Sequence, residues 1–132
     1  MQPEHRDSDD PKEWLRRARS NLSLAVGSRG LAEVVWEDLC FEAQQAAEKA
    51  IKAVLVCRGV VFPKTHVISE LITLLQQSGL EVPDRVRESA VLTPYAILTR
   101  YPGFPESISE EDYASAIELA ERVYRWAESL IA

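Results

Sequence analysis

The stretch CRGVVFPKTHVISEL, residues 57 to 71, holds the side chains best suited to chemistry in this chain. Arg58 carries a planar guanidinium that can grip a phosphate through two parallel hydrogen bonds. His66, one of two histidines, can give or take a proton near neutrality. Two readings of the pair stay open at this level. It could be a metal-free nuclease dyad, or Arg58 could belong to the end of one helix and His66 to the start of the next. Lys64-Thr65-His66 places a cation, a hydroxyl and an imidazole at a helix start, where free backbone N–H groups favour a phosphate or carboxylate. Equally, Thr65 is an ordinary cap, Lys64 an ordinary solvated lysine, and His66 a residue that packs or hydrogen-bonds locally. Arg100-Tyr101 sets a guanidinium beside an aromatic face able to stack on a base. The alternative there is a tyrosine packed over its own loop and an arginine paired with a neighbouring acid.

Other chemistries lack their parts. The chain has no Walker loop, no glycine fingerprint for a dinucleotide, no paired histidines for a metal, and no serine or cysteine nucleophile with a plausible base. No catalytic residue, metal or cofactor is therefore expected, with Arg58 and His66 as the alternative catalytic pair. His5 falls in a polar, acidic leader that is expected to be disordered. Cys40 and Cys57 fall on one helical pattern, where 17 residues at 1.5 Å separate them by about 25 Å. A disulfide needs Cα atoms within roughly 7 Å. Both cysteines are read as small buried hydrophobes.

Five helical patterns must position these groups, and strand alternation is essentially absent. Asp10-Pro11 with Glu13 opens the first, whose apolar stripe is Trp14, Leu15, Ala18, Leu22, Ala25 and Val26. The second is the most regular. Trp36, Leu39, Cys40, Ala43, Ala46, Ala47, Ala50, Ile51 and Val54 recur at three- and four-residue steps, and Asp38, Glu42, Gln45, Lys49 and Lys52 line the other face. Its alanines suit either close packing inside the chain or a dimer seam. Thr65 is expected to cap a third helix that Gly79 stops. Pro83-Asp84 opens a fourth, which Pro94 should kink or restart. Ser109 and Asp112 form a capping-box variant for the last. The expectation is all-α: an up-and-down bundle of five helices over residues 10–132, with residues 1–9 a disordered tail. In that topology Arg58, Lys64 and His66 share one end with Arg100 and Tyr101, a basic pole.

Charge is uneven along the chain. Residues 1–67 hold ten basic and ten acidic side chains; residues 68–132 hold five and eleven, which accounts for the net charge of −6. That balance argues against a protein that tracks duplex nucleic acid by charge. No apolar run approaches the roughly 20 residues that cross a bilayer, and the first ten residues resemble no signal or transit peptide. A cytoplasmic protein with no membrane contact is expected.

Two segments together, DLCFEAQQAAEKAIKAVLVCRGVVFPKTHVISEL and LTPYAILTRYPG, resemble the small prokaryotic HEPN-domain proteins. The matching residues are Phe41 to Lys49 with Lys52, Lys64 to His66, and Arg100 to Pro102, in a likeness that spans roughly residues 10 to 131. The resemblance implies a five-helix bundle, usually a homodimer. It also implies association with a separately encoded minimal nucleotidyltransferase, often in toxin–antitoxin-like pairs, and a nucleotide-binding role. Lys64, Thr65, His66, Arg100 and Tyr101 would then hold phosphate or base. Ribonuclease members of the wider superfamily carry an arginine and a histidine four to six residues apart, late in the fold. Here seven residues lie between Arg58 and His66, the pair falls mid-chain, and the last helix has no histidine. RNA is a partner only under the alternative of a metal-independent ribonuclease toxin.

Overall fold

A computed structural model describes residues 9–97 and 107–131. The tail expected over residues 1–9 lies outside this range except for Asp9, and so do Arg100, Tyr101 and Pro102. Among the described residues the chain is helical, without strands.

Helix α1 spans Pro11–Gly27. Asp10 caps it from an extended backbone, its Oδ1 accepting from the Lys12 amide at 2.9 Å. Pro11 fits the first turn because an N–H there has no intrahelical partner. Leu15, Ala18, Leu22 and Ala25 are buried as the stripe requires, while Val26 is left about half exposed. On the outer face Glu13 accepts from Arg16 and Arg17, and the Arg19 guanidinium lies 5.7 Å from the Tyr124 ring centre.

Helix α2, Trp36–Cys57, is the axis of the molecule. Ala43, Ala46, Ala47, Ala50 and Ala53 have no solvent exposure within the single chain. With only a Cβ at each of these positions, neighbouring backbones approach closely, and α1 takes up much of the face. The alternative of a dimer seam on these alanines falls away, since the chain itself covers them. α1 runs antiparallel to α2: Asn21 donates to Glu42 and accepts from Lys49, while Trp14 lies against Lys52.

The link of residues 58–67 does not simply turn the chain round. It doubles back along α2, bringing Phe62 against Trp14 and Lys52, and His66 against Glu48. Helix α3, Ile68–Gln77, therefore starts beside the middle of α2 and ends near its C-terminus. There Arg58 donates from Nε to Ser78 Oγ at 2.9 Å and from Nη2 to Ser78 O at 3.0 Å. The expectation that Arg58 shares an end with Lys64 and His66 is thus corrected: α3 separates them.

The fourth rod is built in pieces, α4 (Asp84–Arg87), a 3₁₀ stretch (Glu88–Leu92) and α5 (Thr93–Ile97). Pro94 falls in the first turn of the last piece, which is the restart its missing N–H favours. Helix α6, Glu110–Ile131, opens on a reciprocal capping box. Ser109 N donates to Asp112 Oδ2 at 3.0 Å, and Asp112 N to Ser109 Oγ at 3.1 Å. Tyr113 then ties α6 to the end of α1 through a 2.8 Å bond from its hydroxyl to Ala25 O. Of the two free cysteines Cys40 is buried, but Cys57 is exposed, contrary to expectation, because it is the last residue of the helix and no described element covers it.

The alanine packing has a measurable consequence. Ala47→Leu places three extra carbons where no space remains, so unfolding in urea should show a loss of about 1–3 kcal/mol with an unchanged m-value. An unchanged midpoint would mean that the chain is not closely packed around this position.

Candidate functional site

Gln44, Glu48 and Lys52 recur at four-residue steps, so α2 presents them as one row. The row faces inward. Gln44 is fully buried, Glu48 is 3% exposed and Lys52 7%. A carboxylate at that depth is costly unless each lone pair is answered. Lys52 Nζ meets Glu48 Oε2 at 2.7 Å, Gln44 Nε2 donates to Oε1 at 3.0 Å, and His66 Nδ1 lies 2.9 Å from the same Oε1. Gln44 in turn accepts from Gln45 Nε2 at 2.7 Å. The Lys52 ammonium lies 5.7 Å from the Trp14 ring centre and 5.6 Å from that of Phe62, so two aromatic rings flank the charge. Burial works to raise the Glu48 pKa. The hydrogen bonds from Lys52 and Gln44, the Lys52 charge and the His66 contact outweigh it and hold the carboxyl below its ordinary value. Glu48 is therefore an anion at neutral pH.

His66 reaches this cluster from the link and keeps about half of its side chain in solvent. Its Nδ1 faces Glu48, and its Nε2 makes no hydrogen bond among the described residues. Lys64, two residues earlier, is exposed. Thr65 has a different role from the expected one. Val67, not Thr65, flanks the start of α3, and Thr65 Oγ1 accepts from Val67 N while donating to Glu70 Oε1. The next amide, Ile68 N, donates to Thr93 Oγ1 at 3.1 Å. Two amides expected to be free for a phosphate are thus already held by hydroxyls. The bond to Thr93 does join the start of α3 to the start of α5. Arg100 and Tyr101 follow α5 and lie outside the described residues.

Three residues of the cluster do not stand out as site residues in the sequence. Lys52 falls on the face expected to be solvated, and neither Glu48 nor Gln44 belongs to either expected face. The available signal is the Gln44–Glu48–Lys52 register on a helix flanked by alanine on both sides, a pattern that leaves little solvent-facing surface. Elsewhere, burial pushes the Cys40 thiol up to about 12, which removes it as a nucleophile at neutral pH. Among the described residues no group of three or more His, Cys, Asp or Glu side chains is placed to hold a metal ion. No helix of those residues is long and apolar enough to cross a membrane.

The sequence profile of the HEPN domain matches residues 11–130. The crystal structure of TT1696 from Thermus thermophilus superposes with a TM-score of 0.78 at 35% identity, covering 90% of this chain and 96% of that one. ST0689, described as an archaeal HEPN homologue, superposes with a TM-score of 0.75 at 27% identity, covering 93% and 98%. No curated protein matches the chain.

The buried carboxylate makes stability depend on acid. With its folded pKa below 4.5, Glu48 contributes stability that is complete above that value and lost as pH falls through the folded value. Denaturant midpoints measured from pH 6 to pH 3 should fall more steeply for wild type than for Glu48→Gln. At neutral pH Glu48→Ala should cost about 3–5 kcal/mol, because it strands the Lys52 ammonium in the interior. Parallel pH curves for wild type and Glu48→Gln would refute an ionised, buried Glu48.

Proposed function

The chain belongs to the HEPN domain family, and from that premise we propose a non-enzymatic binding and assembly module that works as a homodimer in the cytoplasm. It associates with a minimal nucleotidyltransferase in a toxin–antitoxin-like pair and takes a nucleotide phosphate at the Lys64–His66 segment. The observation that carries the ligand reading is His66, oriented by a buried carboxylate, with its other nitrogen unengaged among the described residues and Lys64 close by in sequence. Arg100 clamps the phosphate and Tyr101 stacks on the base in this reading, and Thr65 acts by shaping the segment rather than by touching the ligand. Assembly is supported at the corner between α1 and α2. Leu31 and Val35 there are 59% and 51% exposed, although Trp36 beside them is half-buried on Tyr113. Sedimentation at micromolar concentration tests the dimer, and a monomer removes it.

The alternative ribonuclease loses its support at Arg58. Within one chain the Arg58 guanidinium is engaged with Ser78 at the end of α3 away from His66, which supports the non-enzymatic reading over a dyad of these two residues. Purified protein is expected to leave RNA intact with or without EDTA. Cleavage abolished by both Arg58→Ala and His66→Ala would reverse this conclusion.

Binding should be modest, since no glycine-rich loop encloses the phosphates: Kd about 10⁻⁵ to 10⁻³ M, or about −4 to −7 kcal/mol. It should weaken with salt, because the contacts are charged and partly exposed. Calorimetric titration with AMP, ATP and GTP, repeated on Lys64→Ala and Arg100→Ala, tests the reading. No heat from wild type, or heat unchanged in both variants, leaves only the assembly role.

A further inference from the structure

The cluster under His66 is more than a packing solution, because its proton arithmetic constrains what the imidazole can present. An ionised carboxylate only accepts hydrogen bonds. Glu48 is such a carboxylate, and its Oε1 lies 2.9 Å from His66 Nδ1, so the hydrogen in that contact belongs to Nδ1. The outer nitrogen, Nε2, then carries either a lone pair or a second N–H. The charges beneath are already balanced: Glu48 and Lys52 pair at 2.7 Å, and both are almost wholly buried. A proton added at Nε2 therefore leaves one uncompensated positive charge at the mouth of the cluster. An anion at Nε2 cancels that charge. Among the described residues the charged groups near His66 are Glu48 and Lys52 on α2, Lys64 in the link, and Glu70 on α3, which is engaged with Thr65. Thr93 of α5, bonded to Ile68 N, brings no charge.

We propose that Glu48 is a positioning residue that fixes His66 with Nδ1–H turned inward and Nε2 outward, so that a tetrahedral oxyanion of the phosphate class binds at Nε2 with uptake of one proton. The inference rests on the proposed phosphate reading for its ligand and on the Glu48 geometry alone for the imidazole. Nothing covalent occurs. A proton from solvent joins the Nε2 lone pair, and the resulting N–H donates to an anion oxygen. In this arrangement Glu48 never meets the ligand. Lys52, held by Glu48 and flanked by Trp14 and Phe62, keeps the carboxylate ionised.

Two measurements separate the parts. Long-range ¹H–¹⁵N spectra of wild type, recorded where the His66 signals themselves are those of a neutral ring, should show the Nδ1–H tautomer. Glu48→Gln should shift it toward a tautomer mixture, because the carboxamide can offer either an acceptor or a donor. Sulfate is the probe for the second measurement, since it does not titrate in this range. Its affinity for wild type should fall as pH rises, approaching tenfold per unit, the limiting slope of one linked proton. His66→Gln should flatten that slope while leaving the fold intact, because half of the side chain it replaces is already in solvent. A wild-type Nε2–H tautomer, or an imidazole spectrum indifferent to Glu48→Gln, overturns the positioning role whether or not any ligand binds. Should Glu48→Gln fail to fold, the wild-type tautomer and the His66→Gln slope still decide. Sulfate and AMP both failing to bind a wild type with the expected tautomer overturns the phosphate reading and the ligand half of this inference together. Sulfate binding with a flat pH slope overturns the proton uptake and leaves that reading standing.

Discussion

A single buried carboxylate sets the terms for this fold. Glu48 lies near the middle of the central helix, 3% exposed, and an anion there must be met by donors from whatever packs around it. Lys52 and Gln44 come from the same helix, one turn to either side. The third donor, His66, has to arrive from elsewhere, and it can do so only if the chain leaving α2 returns along it. The course of the link, the burial of Lys52 between two aromatic rings and the position at which α3 begins all follow from meeting that requirement. A straightforward turn after Gly59 would leave Glu48 with one partner fewer and Lys52 uncovered by Phe62.

The bundle itself is legible in the sequence because its signals are local. The Asp10-Pro11 start and the reciprocal Ser109–Asp112 box need only a few neighbouring residues to work, and both are present as expected. The apolar stripe of α1 is equally readable as far as Ala25, since its period follows from helix geometry alone. What stays hidden depends on tertiary partners. Nothing local distinguishes a lysine in solvent from Lys52, whose ammonium finds a carboxylate one turn back and aromatic rings from two other segments. Thr65 reads as a helix cap two residues too early because its hydroxyl organises the turn before the helix, while the start of α3 is completed by Thr93, 25 residues on from Ile68. Arg58 groups with His66 in the sequence because they are near in the chain; the length of α3 keeps them apart.

α2 also shows how small and large residues divide the core. Its alanines let neighbouring helices approach closely and gain dispersion contacts, while Leu39, Ile51, Val54 and Leu55 on the same helix bury the larger apolar groups. The cost of that choice is intolerance of added volume. It also frees the faces of the fourth rod and the α1–α2 corner to carry exposed apolar residues such as Val91, Leu31 and Val35, which the core does not need.

The returning link has one further consequence, for how firmly the site is closed. Between Val61 and His66 no backbone amide donates to another backbone group among the described residues; the last such bond before the stretch is Val60 N to Leu55 O, and the next after it is Glu70 N to Val67 O. The floor of the cluster therefore belongs to a helix with a continuous backbone ladder, whereas its roof is held through side chains. Elements so constructed exchange their amides at very different rates. By that difference the amides of the roof should exchange faster than those of the floor.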